Sequence, residues 1–335
     1  MTTDEASTPA APEAPRRSFV RRLLNIPEIG VITAVAFFFG AFVLTNKAMA
    51  ESASIARMAL QGSMIGLAAF GMSFLMIAGE IDLSTGATAG FAAAVAGLLL
   101  FKNGWPEWAC YGAALLATVG VGLVNSFIVL RIGMPSFFGT LGMNFAVTGL
   151  SQWLLKGQWL DVGGRMPHLV KLLGPSPLFG LPWAFLGLLS AVIIGDLLNR
   201  TSRLGPILSA TGGNRQAAEI AGINVKLVKT LCFVFVSVCC GIAGLLVVAY
   251  GGVTDQTIGV DWLLWVIAIA IIGGGSLRGG VGSIVGVLLG TALIQIIRMG
   301  LAYANVKTNA QGIVVGAILI GAATLDAARR RAIQY

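Results

Sequence analysis

Apolar segments close to membrane-crossing length recur along almost the whole chain, interrupted only by short polar or glycine-rich turns. A membrane helix needs about 20 mostly apolar residues. About ten segments approach that, at roughly 28–46, 55–78, 86–101, 108–130, 137–155, 181–198, 228–250, 261–275, 281–299 and 310–326. Only 11% of the 335 residues are charged, against about 25% in soluble domains. Charge this sparse cannot cover a water-facing surface, so lipid is the expected solvent. The spacing predicts one all-α integral membrane domain over 19–335, with about ten transmembrane helices. Residues 1–18 are rich in Ala and Pro and carry Asp4, Glu5 and Glu13. They lack the basic region and apolar core of a secretory signal, and are read as a disordered cytoplasmic tail.

The net charge of +8 is concentrated in a few short segments between apolar runs. That pattern follows the bias of basic residues toward cytoplasmic loops and gives no reason to invoke nucleic acid. With the N-terminus inside, an even number of spans puts Arg16, Arg17, Arg21, Arg22, Arg131, Arg200, Arg203, Arg215, Lys226, Lys229, Arg278 and Arg329–Arg331 inside. The orientation predicted is a multi-pass membrane protein with both termini cytoplasmic. The longest outside loop, Lys156 to Leu181, holds several prolines and reads as irregular, with room for a docking role.

Little in the inventory suits bond chemistry. Cys110, Cys232, Cys239 and Cys240 all lie in or beside apolar runs and read as small membrane-embedded hydrophobes. His168 has no partner histidine, so no metal site is expected. The phosphate-binding pattern G-x-x-x-x-G-K-[ST] is absent, and no Ser-His-Asp set is present. An enzyme is therefore improbable, whereas a transporter needs no such groups.

The largest interior polar island is "SATGGNRQAAEIAGINVKLVK", Ser209 to Lys229. Asn214 is a good helix N-cap, Arg215 to Ala221 favours helix, and Gly222 can take the left-handed conformation that ends one. The expected helix has about two turns, roughly 12 Å. It is too short to span and too polar to bury in lipid. Its alanines and Ile220 leave a flat, weakly apolar face suited to a groove on another protein, although an ordinary loop helix would look similar.

A second interruption, "IAGEIDLSTGATAG", sets Glu80 and Asp82 between two apolar segments. Two readings stand. Asp82 or Ser84 can cap the first turn of the third span. Alternatively the segment dips into the membrane and these groups line a path, since ionised groups at membrane depth usually face a cavity. The stretch also echoes "IIGGGSLRGGVGSI", with Gly79 opposite Gly273, Leu83 opposite Leu277 and Gly86 opposite Gly280. Weak internal symmetry of this kind occurs in duplicated transporters, and also by chance between glycine-rich turns.

Three motifs carry a family resemblance. "GEIDLSTG", "GGNRQAAEIAGINV" and "IIGGGSLRGGVGSIVGVLLG" resemble, in order and spacing, motifs of the permease subunit of ribose-type sugar importers of the ATP-binding cassette class. The resemblance runs from about Ala50 to Asp326. It implies about ten spans, a pair of permease copies or similar subunits, and two cytoplasmic ATPase partners that carry the ATP and magnesium. It also implies a periplasmic binding protein that delivers a monosaccharide or polyol. The permease itself would hold no cofactor. The coupling helix maps to Gly213–Val225, with Gly213, Asn214, Ala217, Ala218, Glu219, Gly222, Ile223 and Asn224 matching the family pattern. Two departures stand out. Glu80 replaces a usual second glycine, and Leu263 and Trp265 replace a usual acidic pair, with Asp261 nearby but out of register. Ser276 joins Glu80, Asp82 and Ser84 as a path or cap candidate. Trp262 and Trp265 suit either a sugar face or a membrane-interface belt. The remaining alternatives are import of a branched amino acid or nucleoside, and a channel or carrier acting alone.

Overall fold

The computed structural model describes residues 29–306, except 163, 177 and 179, together with 312–314, 316, 317 and 320. The tail at 1–18, most of the predicted segment 310–326 and the Arg329–Arg331 cluster lie outside the described residues.

The described residues are mostly helical. Its helices are α1 (Ile29–Thr45), α2 (Ser52–Ile77), α3 (Thr85–Lys102), α4 (Glu107–Phe127, prolonged by a π turn at Ile128–Ile132), α5 (Ser136–Leu155) and α6 (Pro167–Leu173). They continue with α7 (Trp183–Thr201), α8 (Leu204–Gly213), α9 (Arg215–Ile220), α10 (Val225–Gly251), α11 (Trp262–Ile272) and α12 (Gly286–Tyr303). Among the described residues six helices, α2, α3, α4 with its π turn, α7, α10 and α12, are long and apolar enough to cross a membrane. The apolar α1 and α11 are shorter, and α5 has 20 residues but is less apolar overall.

The core forms around α10, which packs on α2, α3 and α4, while α2 also meets α7, α11 and α12. Phe70, Met72 and Leu75 of α2 interlock with Phe233, Val236 and Cys240 of α10 and Val266 and Ile269 of α11. Lipid gives no hydrophobic drive between helices, so small residues permitting close backbone contact matter more than bulk. A Cβ on Gly244 of α10 would stand 2.1 Å from the carbonyl oxygen of Ala89 on α3, so those two helices meet where only glycine fits. The four cysteines are unpaired and buried.

Two expectations need correction. The outside loop is not wholly irregular. Leu160–Asp161 forms a two-residue antiparallel ladder with Val253–Thr254, and Pro167 opens α6 at the position where its missing N–H costs nothing. Val162 and Met166 anchor that loop in a buried cluster with α3, α4 and α10. The predicted eighth segment, 261–275, is helical only over Trp262–Ile272 and so falls short of a full crossing. The 11 residues of α11 rise about 16 Å at 1.5 Å per residue, against a hydrocarbon core of about 30 Å. The non-helical residues 253–261 descend along one face of α3. The hydroxyl of Thr254 donates to Ala93 O at 2.9 Å. Cβ atoms on Gly90 and Gly86 would stand 2.5 Å from Ile258 O and 2.0 Å from Gly259 O. Gly86, Gly90, Ala93 and Gly97 share one helix face at spacings of four, three and four, so backbone without a helix of its own can lie against α3.

The two stretches of the internal echo share a helix-end closure, shifted by one residue from the sequence match and of a type found at other helix ends of the chain. Both α2 and α11 end in the same double hydrogen-bond closure. In α2, Gly79 N donates to Met76 O and Glu80 N to Leu75 O. In α11, Gly274 N donates to Ile271 O and Gly275 N to Ala270 O. Gly79 (φ +83) therefore corresponds to Gly274 (φ +99), not to Gly273.

Candidate coupling site

The polar island folds as its sequence predicts, with a slightly shorter helix. In α9, Arg215–Ile220, the Asn214 side chain accepts from Ala217 N at 3.0 Å. At the other end Gly222 sits at φ +83, with Gly222 N donating to Glu219 O and Ile223 N to Ala218 O. This Schellman closure satisfies carbonyls that a six-residue helix would otherwise leave orphaned. Asn224 then caps α10 by accepting from Leu227 N at 3.1 Å. Arg215 and Glu219 pair along the exposed side.

The helix has distinct inner and outer sides. Ile220 is 88% exposed, and Ala217 and Glu219 also face outward, whereas Ala218 is 2% exposed. Ala218 is thus a correction to the set of contact candidates, because its methyl packs inward and anchors the helix. Gly213, Asn214 and Asn224 are exposed and Ile223 is half-buried.

Two connections fasten this segment to the core. Gly212 lies where three turns meet. A Cβ there would stand 2.0 Å from Ile77 O and 2.7 Å from Gly280 N, while Gly280 N donates to Ile77 O at 2.9 Å. Gly279 presses on Gly79 from the same side. The second connection is ionic. Lys229 Nζ on the second turn of α10 meets Glu80 Oε1 at 2.6 Å, with side chains only 8% and 14% exposed. Glu80, where the resembling family carries glycine, is therefore a structural partner. Lys229, Gly212 and Gly279 are not singled out by sequence reasoning, because nothing local marks their distant partners.

Asp82 does not cap α3 in the expected way. The N-cap is Ser84, whose side chain makes no cap bond. Asp82 Oδ1 instead accepts from Ser84 N at 2.7 Å and Ser84 Oγ at 2.6 Å, and Oδ2 accepts from Asn125 Nδ2 at 3.2 Å. Asn125 also donates to Ser84 Oγ at 2.9 Å. Asp82 is 1% exposed, and Ser84 and Asn125 are fully buried. The trio ties the turn to α4 inside the protein, and Leu83 N adds a bond to Thr140 Oγ1 of α5 at 2.9 Å. Asn125 is the missed member, although a lone Asn within an apolar span is itself a signal.

The other candidates make contacts within the protein. Ser276 holds its own turn, accepting from Arg278 N at 3.1 Å. Trp265 is buried in the main core with the Arg298 guanidinium 5.4 Å from its ring, so it faces neither a sugar nor a lipid interface. Trp262 is partly buried against that core. His168 bonds Glu107 at 2.5 Å and tilts against Trp108. Among the described residues no group of three or more His, Cys, Asp or Glu side chains could hold a metal.

Residues 54–323 match the family described as the permease component of branched-chain amino acid transport systems. Among curated proteins, the chain is 30% identical to the D-allose transport system permease protein of Escherichia coli, over 88% of this chain and 89% of that one. It is 30% identical to the L-arabinose ABC transporter permease protein of Azospirillum brasilense, over 96% and 94%. It is 28% identical to the xylose transport system permease protein of Haemophilus influenzae, over 93% and 99%. No solved structure matches significantly. With a buried helical bundle and a capped surface helix fastened to its core, the chain belongs to the family of multi-pass membrane permease subunits of ATP-binding cassette importers, a transport subunit and not an enzyme.

Proposed function

We propose that this permease carries a monosaccharide or related polyol into the cytoplasm, working with separate ATPase subunits, a periplasmic binding protein and a second permease copy. The observation that carries the coupling role is α9, which is capped at both ends, exposed on one side and joined to the core through Gly212 and the Glu80–Lys229 pair. A helix held this firmly can transmit a push. Closure of the ATPases, which hold ATP and magnesium, moves α9. The junction passes that motion to the ends of α2, α10 and α11, and the spans rock around a central cavity between outward and inward access. The permease holds no cofactor of its own.

The architecture proposed is about ten spans in the inner membrane, with the α9 end and both termini cytoplasmic. The connections at 78–84, 202–224 and 273–285 meet at the α9 end, and those at 156–182 and 252–254 meet at the other. That is the grouping the charge bias gives. Sugar is preferred over a branched amino acid because the named relatives concern allose, arabinose and xylose.

The test is uptake of labelled sugars, polyols and L-leucine in a strain lacking this chain, with and without the restored gene. Restored sugar uptake is expected. Restoration of leucine uptake alone would overturn the sugar reading.

A further inference from the structure

A cavity of about 170 Å³ opens between α3, α5 and the non-helical segment 253–261. This is smaller than the roughly 300–1,000 Å³ of sites for drug-sized ligands and suits one small solute. Its polar lining comes from two elements. Asn144, Thr148 and Ser151 stand at i, i+4 and i+7 on α5, and Asp255 and Gln256 come from the descending segment. Asn144 and Thr148 lie well inside the length of α5, not at its ends. Among the described residues the side chains of Asn144, Thr148 and Gln256 make no hydrogen bond to another protein group. One oxygen of Asp255 is held by Thr257 N and Thr257 Oγ1, both at 2.6 Å, and the other makes no such bond. Polar side chains at membrane depth without protein partners belong against a wet cavity, and the same holds for non-helical backbone.

We propose, resting on the transport reading above, that this cavity is a station on the solute path that recognises an uncharged, hydroxyl-rich molecule. The chemistry selects that class. Each solute hydroxyl can donate and accept at once. The Asn144 and Gln256 amides offer both donors and acceptors, the Thr148 hydroxyl does the same, and the free Asp255 oxygen accepts. No Lys, Arg or His lines the cavity, so the carboxylate of an amino acid finds no counter-charge there and meets Asp255 instead. Phe145 and Ile258 supply apolar surface for the C–H face of a sugar ring. The descending segment places Asp255 and Gln256 opposite α5, which a continuous helix at 253–272 would not do with the same backbone.

The test uses the assembled importer in cells, with D-allose, D-xylose, L-arabinose, D-galactose and L-leucine as labelled probes. For whichever sugar the unaltered complex carries, Asn144→Leu and Gln256→Leu should each reduce uptake about tenfold or more, at unchanged membrane abundance and ATPase capture. In a background with the four native cysteines replaced, Thr148→Cys should react with a small methanethiosulfonate reagent, and the transported sugar should slow that reaction. Sugar uptake near the unaltered level in both leucine variants would overturn the inference, as would a Thr148→Cys thiol that reacts at the same rate with and without sugar. Uptake of leucine and none of the four sugars by the unaltered complex would overturn the sugar reading itself, and the inference with it.

Discussion

Lys229 reaches across 149 positions of sequence to Glu80, bringing its ammonium 2.6 Å from the carboxylate in a nearly closed environment. The pair joins the start of α10, just beyond α9, to the turn between α2 and α3. Such a pair gains from its geometry only while both charges are present. Removing one leaves the other buried without compensation, at a cost of about 3–5 kcal/mol, whereas replacing both by apolar groups is often near neutral. Lys229→Met and Glu80→Met should each lower the amount of folded protein sharply, and the double variant should recover much of the loss. Fluorescence-detected size exclusion of the three variants measures this. Additive losses in the double variant would show that the two side chains do not interact.

Gly212 and Gly213 offer a matched comparison one residue apart. A methyl at Gly212 meets backbone atoms at 2.0 Å, which no side-chain rotation can relieve. At Gly213 the nearest atom is 3.8 Å away, an ordinary contact. Gly212→Ala should push the three turns apart, cost about 1–3 kcal/mol or more and abolish uptake. Gly213→Ala should transport almost normally. Equal uptake by the two would mean that the glycine junction does not transmit the motion of α9.

The exposed side of α9 can be tested without touching the fold. Ile220 is 88% exposed, so Ile220→Asp should leave the protein in the membrane while the ATPase no longer copurifies and uptake falls. Gly222→Val works differently. Its side chain would enter open space, so the strain comes only from φ +83, at about 1–2 kcal/mol for an ordinary residue and more for a β-branched one. It should loosen the end of α9 and weaken ATPase capture with only modest loss of protein. Copurification at the unaltered level in both variants would remove α9 from the docking surface.

How far the sequence carries depends on how local each device is. The caps of α9 are legible because Asn214 and Gly222 act within four residues of themselves. The apolar segments are legible because composition alone requires lipid. The half-length of α11 is not, since Trp262–Ile272 is as apolar as a full span and only its packing on α3 shows where the helix starts. The stripe Asn144, Thr148, Ser151 has a helical period of its own, but it is diluted in a segment read by its average. Asp82 reads as a cap because Ser84 is nearby and does bond it, whereas the third bond, from Asn125 on α4, comes from 43 positions away.

That network supplies the last prediction. Asp82 accepts from Ser84 twice and from Asn125 once, while Asn125 Oδ1 is buried with no partner. Asp82→Asn keeps one oxygen for Ser84 and adds an amide donor where Oδ2 stood. That donor faces Asn125 Nδ2, and rotating the Asn125 amide to present its oxygen gives up the Asn125–Ser84 bond and buries the amide nitrogen where Oδ1 has no partner. The variant should therefore lose some abundance, through one hydrogen bond or about 1 kcal/mol, and keep nearly normal uptake per folded complex. Asp82→Ala removes every acceptor at once. It leaves the buried Ser84 N–H and Ser84 hydroxyl without their acceptor, while Asn125 keeps only its bond to Ser84 Oγ, at about 1–3 kcal/mol for each buried group left unpaired. Abundance of folded protein should drop below that of the Asn variant, while uptake per folded complex stays close to normal in both, since Asp82 is 1% exposed. Loss of uptake per folded complex in Asp82→Asn would show instead that the carboxylate's charge is required during transport, in a conformation where it meets the solute path.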